Sequence, residues 1–252
     1  MWFKRKRILP QQSFIDWSFE VWEWLLSNQG GYSSFVQHHQ IIKPDSNDFP
    51  LKYEESHEWA FNTFNRVKGF MGMQEWPCDF EEAQGDETND YFLNSGIIES
   101  YEGAAGTYGL DENGVTIRYS KSLLCDPSKF ISTMAHELSH YIIGGIYHPN
   151  PGGPNVEEHS TDLCAIFNGF GIFMLNSYFS SSGFFQSTQG YLNESQIAFN
   201  LAIFCKLKNT DPESLKVHLK KNLYKILNDA CDELDETYSL KITWLASVDS
   251  TV

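Results

Sequence analysis

Two histidines flank a glutamate in His136-Glu137-Leu138-Ser139-His140. In a helix, positions i and i+4 lie one turn apart on one face, so both imidazoles can reach one ion. Glu137 projects about 100° round the helix from His136. It need not ligate the metal and can instead face a metal-held water as general base. A zinc site of this kind needs a third protein ligand and an open fourth position. The next polar cluster downstream is Val156-Glu157-Glu158-His159-Ser160-Thr161-Asp162. Glu158 and Asp162 are again i and i+4, on one face. Glu158 is the first candidate for the third ligand. Asp162 can accept a hydrogen bond from the non-ligating nitrogen of His136 or His140, fixing its tautomer. Glu157, His159 and Asp162 itself compete for the ligand role. The helical face favours Glu158, because Asp162 pairs with it at i+4 but with His159 only at i+3.

These residues resemble the gluzincin group of zinc metallopeptidases, through His136-Glu137-x-x-His140 followed by Glu158-x-x-x-Asp162. The resemblance covers about a fifth of the chain. It implies a zincin-like fold, bound Zn2+ and hydrolysis of peptide bonds. It makes His136, His140 and Glu158 the zinc ligands, Glu137 the catalytic base and Asp162 a group behind the ligands. Similar peptidases often use a His or Tyr from further along the chain to stabilise the oxyanion. Tyr191, in a Gly-flanked segment, and His218 are the candidates here. In zincin-like folds the edge strand before the active-site helix pairs with extended substrate, which points to Val115–Tyr119. The metzincin pattern HExxHxxGxxH is excluded, since its Gly and third His positions hold Ile143 and Ile146.

The elements that must position these groups are legible in outline. Asp126-Pro127 predicts a helix start, with Asp as N-cap and Pro at the first helical position. Gly144-Gly145 predicts its end. A loop with three prolines, Tyr147 to Pro154, turns the chain into a helix expected from about Asn155 to Tyr178. The apolar periodicity predicts further helices over Phe14–Ser27, Glu54–Gly69, Glu194–Lys208 and Pro212–Glu233. Val115–Tyr119 alternates as a half-exposed strand should, and Ile97–Tyr101 is a second strand candidate. Trp76 to Asp90 is acidic and rich in turn residues, which predicts a solvated loop. Trp17, Trp22, Trp24 and the Phe-rich stretch around Phe167–Phe173 read as core. His38-His39 reads as surface and His57 as structural.

The expected fold class is α+β, mainly helical with a small mixed sheet, in one domain spanning 1–252. An N-terminal helical portion covers about 1–92 and a C-terminal helical portion about 191–235. With 19 Phe, 12 Tyr and 7 Trp the chain can bury a sizeable core. The net charge of -15 argues against nucleic acid as partner, because a basic face is missing. The longest apolar run, Ala165 to Leu175, is about half the ~20 residues that a membrane-spanning helix needs. The start MWFKRKRILPQQ lacks the apolar core of a secretory signal. Five cysteines, widely spaced and without a CxxC pair, predict reduced thiols and a cytoplasmic location. The expected partners are a peptide or protein substrate and a regulatory protein. The alternative to a peptidase is a zincin-like, metal-binding regulatory or interaction protein with little or no proteolytic activity.

Overall fold

The computed structural model describes residues 7–83, 106–112, 114–181 and 192–251, the side chains of 178–181 excepted. Within these residues the chain is α+β, mostly helical with one three-stranded mixed sheet. The expected strand Ile97–Tyr101 and the site candidate Tyr191 lie outside the described residues.

Helix α1, Gln12–Asn28, buries Ile15, Phe19, Val21, Trp22, Leu25 and Leu26 along the predicted stripe. Its three tryptophans are anchors. Trp22 Nε1 donates to Asn200 Oδ1 at 2.9 Å inside the core. Trp17 and Trp24 donate to the carbonyls of Pro151 (2.8 Å) and His148 (3.0 Å). Two ring N–H groups thus tie down the proline loop that precedes the Glu158 segment. The Gly30-Gly31 pair, at φ 92° and 78°, turns the chain directly into an unforeseen short helix, α2, Gly31–His38. Helix α3, His57–Phe70, starts three residues later than expected because Ser56 caps it, accepting from the Trp59 N–H.

The sheet consists of β1, Asp79–Glu82, β2, Gly106–Asp111, and β3, Gly114–Tyr119. The strand order is β1-β3-β2, with β1 parallel and β2 antiparallel to β3. Two expectations are corrected here. Val115–Tyr119 is the central strand, not an edge, so it cannot pair with a substrate. Its alternation does hold, with Val115, Ile117 and Tyr119 buried. The acidic stretch from Trp76 is not all loop, because Asp79–Glu82 forms β1. A single apolar side chain fixes that strand: Phe80 stacks on Phe64 at 4.3 Å and on Tyr119 at 5.0 Å.

Helix α4, Pro127–Gly144, is capped by Asp126, which accepts from the Lys129 N–H, with Pro127 in the first turn. Its apolar face (Phe130, Met134, Leu138) is fully buried. The glycine pair at its end is not a left-handed cap, since Gly145 sits at φ -84°. The single helix expected over 155–178 is broken. Helix α5, Glu157–Ala165, passes through a π-helical turn, Ile166–Phe170, into α6, Gly171–Ser181. Gly169 adopts φ 98° there, and a Cβ on it would lie 2.0 Å from the Gln40 carbonyl oxygen. The Gly169 carbonyl accepts from the Ile42 N–H at 3.0 Å, so the break lets the α2–α3 connection cross in contact. Phe167, Phe170, Phe173 and Met174 are core, as expected.

Helix α7, Glu194–Leu207, opens with an Asn193/Gln196 capping box and is buried along most of its length. The helix expected over 212–233 is a 3-10 turn, Pro212–His218, then an extended Leu219-Lys220, then α8, Lys221–Thr237. A short α9, Ser239–Leu245, was not foreseen. All five cysteines are free thiols, and Cys164, Cys205 and Cys231 are buried. Among the described residues no helix is long and apolar enough to cross a membrane. His39 is not a surface residue as expected. It packs on Phe35 (5.2 Å) and Phe167 (4.9 Å), and burial, helped by the Lys208 charge, pushes its pKa down to about 4. His57 is structural as read, with its Nδ1 2.9 Å from the Tyr119 hydroxyl.

Candidate metal centre

Helices α4 and α5 reverse direction through the loop held by Trp17 and Trp24, which brings their polar faces together. His136 Nε2 lies 3.2 Å and His140 Nε2 3.3 Å from Glu158 Oε2, and the two ring nitrogens are 3.1 Å apart. This triad could hold a metal ion. Tetrahedral zinc with ligands at about 2.0–2.1 Å places its ligand atoms ~3.3 Å apart, close to this triangle.

The opposite side of each imidazole decides what the triangle can hold. His136 Nδ1 lies 2.9 Å from Asp162 Oδ1, and a carboxylate can only accept, so Nδ1 carries the proton. Asp162 is fully buried, and its Oδ2 accepts from the Leu192 N–H at 3.1 Å. His140 Nδ1 lies 3.4 Å from Thr161 Oγ1, whose own proton goes to the Glu157 carbonyl at 3.0 Å. Both Nδ1 atoms therefore donate outward, and the neutral imidazoles aim two Nε2 lone pairs at a carboxylate oxygen. Three acceptors in mutual contact need a proton or a cation between them. The electrostatics agree: burial opposes charging His136, but Asp162 and Glu158 outweigh it and hold its pKa well above the ordinary value. Burial likewise opposes the charged form of Glu158, yet His136 and His140, when protonated, donate to it and hold it below the usual carboxylate range. The Glu158 side chain is 32% exposed, so solvent reaches the triad from that side.

Glu137 is only 7% exposed and points to the sheet. The Tyr108 backbone N–H on β2 faces its carboxylate and favours the charged form slightly. Burial raises its pKa, while His136 and His140 pull it back. The bare backbone of Gly106 lies over it: a Cβ there would be 2.5 Å from Thr133 Cγ2 and 3.1 Å from Glu137 Oε1. The Tyr108 ring lies flat along His140, with centroids 6.0 Å apart and planes at 18°. The strand beside the site is therefore β2, an edge strand among the described residues, where the sequence pointed to β3.

The other candidates separate from this cluster. His159 turns away and meets the edge of Trp17 at 6.3 Å, and Glu157 is exposed. His218 ends a 3-10 turn and accepts through its carbonyl from Asn176 Nδ2 at 2.8 Å. Among the described residues nothing bonds the His218 side chain to the triad. Thr161, Tyr108 and Gly106 were missed. Thr161 carried a weak signal as the neighbour of Asp162 on the helix that bears Glu158. Tyr108 and Gly106 carried none, because β2 reads as a Gly-broken segment. No protein family, curated protein or solved structure matches this chain.

Proposed function

We infer that the chain is a zinc-dependent peptidase of zincin-like architecture, most similar in its residues to gluzincins. The observation that carries this reading is the triangle of His136 Nε2, His140 Nε2 and Glu158 Oε2, with both histidine tautomers set from behind by Asp162 and Thr161. Two nitrogens and one carboxylate oxygen form a donor set that suits zinc and leaves a fourth position for substrate or water. Zinc, when bound, supplies the positive charge that acidifies water and polarises a carbonyl.

The rest is done by the chain. Glu137 takes the proton of the attacking water and later delivers it to the leaving amine. Its buried environment, which raises its proton affinity, suits both halves of that task. The close approach of the Gly106 backbone confines the carboxylate. Strand β2, an edge among the described residues, offers the backbone along which an extended peptide can lie. Five free thiols fit a reducing compartment such as the cytoplasm.

Glu137→Gln tests the reading. It keeps the shape and removes the base, so it should retain zinc and fold while peptide turnover falls at least about a hundredfold. Wild-type rates in this variant would remove Glu137 from the mechanism. Bound zinc without turnover of a broad peptide library by the wild type would favour the regulatory, metal-binding alternative.

A further inference from the structure

A pocket of about 320 Å³ opens beside the metal triad, at the C-terminal end of α4. Tyr108, Leu110, Val115 and Tyr141 line it, and one wall is the bare backbone of Gly144 and Gly145. It shares the Tyr108 wall with the site. The Tyr108 ring that walls it lies flat on His140. Gly144 follows His140 by one further turn, about 6 Å along the same helix. Neither glycine is demanded by its backbone: neither has a positive φ, and Gly145 is right-handed helical. A Cβ on Gly144 would meet only the Tyr108 hydroxyl, at an ordinary 3.8 Å. Side chains are therefore tolerated at this helix end, and what their absence provides is the open volume.

Resting on the peptidase reading above, we propose that this pocket receives an apolar, preferably aromatic, substrate side chain next to the scissile bond, with Gly144 setting the size it admits. The space is at the small end for ligand sites and suits one side chain, not a whole ligand. Two tyrosine rings offer it aromatic faces. Asp79 at the rim disfavours an acidic side chain.

The test uses zinc-loaded protein and two probes in calorimetry: acetohydroxamate, which reports the metal, and a hydroxamate bearing a benzyl group. In the wild type the benzyl probe should bind at least about tenfold tighter, an order set by burying one ring. In Gly144→Leu that ratio should collapse toward one, and in Gly144→Ala it should fall partway. An equal ratio in wild type and Gly144→Leu, or no advantage in the wild type, overturns the pocket while leaving the metal centre standing. Failure of acetohydroxamate to bind the wild type would instead bring down the metal-centre reading, and the pocket with it.

Discussion

Replacing Asp162 with Asn perturbs the proposed metal centre from behind without touching a proposed ligand. The carboxylate uses Oδ1 for His136 Nδ1–H at 2.9 Å and Oδ2 for the Leu192 N–H at 3.1 Å. An amide has one acceptor oxygen, so its NH2 must face one of these two donors. If it faces Leu192, a buried donor is left opposed by a donor, which costs about 1–3 kcal/mol of stability. If it faces His136, the tautomer that aims Nε2 at the triad is lost. In either orientation the negative charge that supports His136 is gone. Loss of such a partner typically weakens metal binding about 10–100-fold, or about 1.4–2.8 kcal/mol. The assay is zinc competition against a chromophoric chelator, with urea unfolding of the metal-free protein alongside. A folded Asp162→Asn protein with wild-type zinc affinity would refute the argument that Asp162 sets the ligand.

Gly106→Ala should cut turnover at least about tenfold with zinc still bound, because its Cβ clashes with Thr133 and reaches the Glu137 carboxylate; unchanged kinetics would show that the strand does not position the base. Gly169→Ala should destabilise by about 3 kcal/mol or more in denaturant melts, combining a positive φ with a 2.0 Å approach to the Gln40 carbonyl; a loss below 1 kcal/mol would contradict the close crossing. His39 has a folded pKa of about 4 against an ordinary 6.5, so the unfolded chain binds the extra proton between those values. Stability from this group is therefore present above pH 6.5 and lost as pH falls to about 4, by up to ~3 kcal/mol. His39→Phe should flatten that part of the acid dependence, and parallel pH–stability curves for the two proteins would rule the assignment out.

The helix that carries His136 and His140 was legible because its signals are local. Asp126, Pro127 and the i, i+4 histidines each act within one or two turns, and α4 spans 127–144 as the sequence predicts. The choice of Glu158 over His159 was also local, since the helical face shared with Asp162 decided it. What escaped depends on contacts far apart in sequence. Strand β1 is Asp-Phe-Glu-Glu, which reads as loop until Phe80 finds Phe64 and Tyr119. The sheet order, which puts β3 at the centre and β2 beside Glu137, is set by parallel pairing of β1 across a long connection. The break at Gly169 follows from the approach of Gln40 and Ile42, which no window around Gly169 contains. His39 looked exposed beside His38 because the rings that bury it include Phe167, from another element.

The most direct test of the central claim is metal content by mass spectrometry, on protein purified without a histidine tag or added zinc, beside Glu158→Ala. Two imidazoles and one carboxylate predict about one zinc per chain in the wild type and loss of most of it in the variant. No zinc in the wild type, and none taken up on titration, would contradict the account.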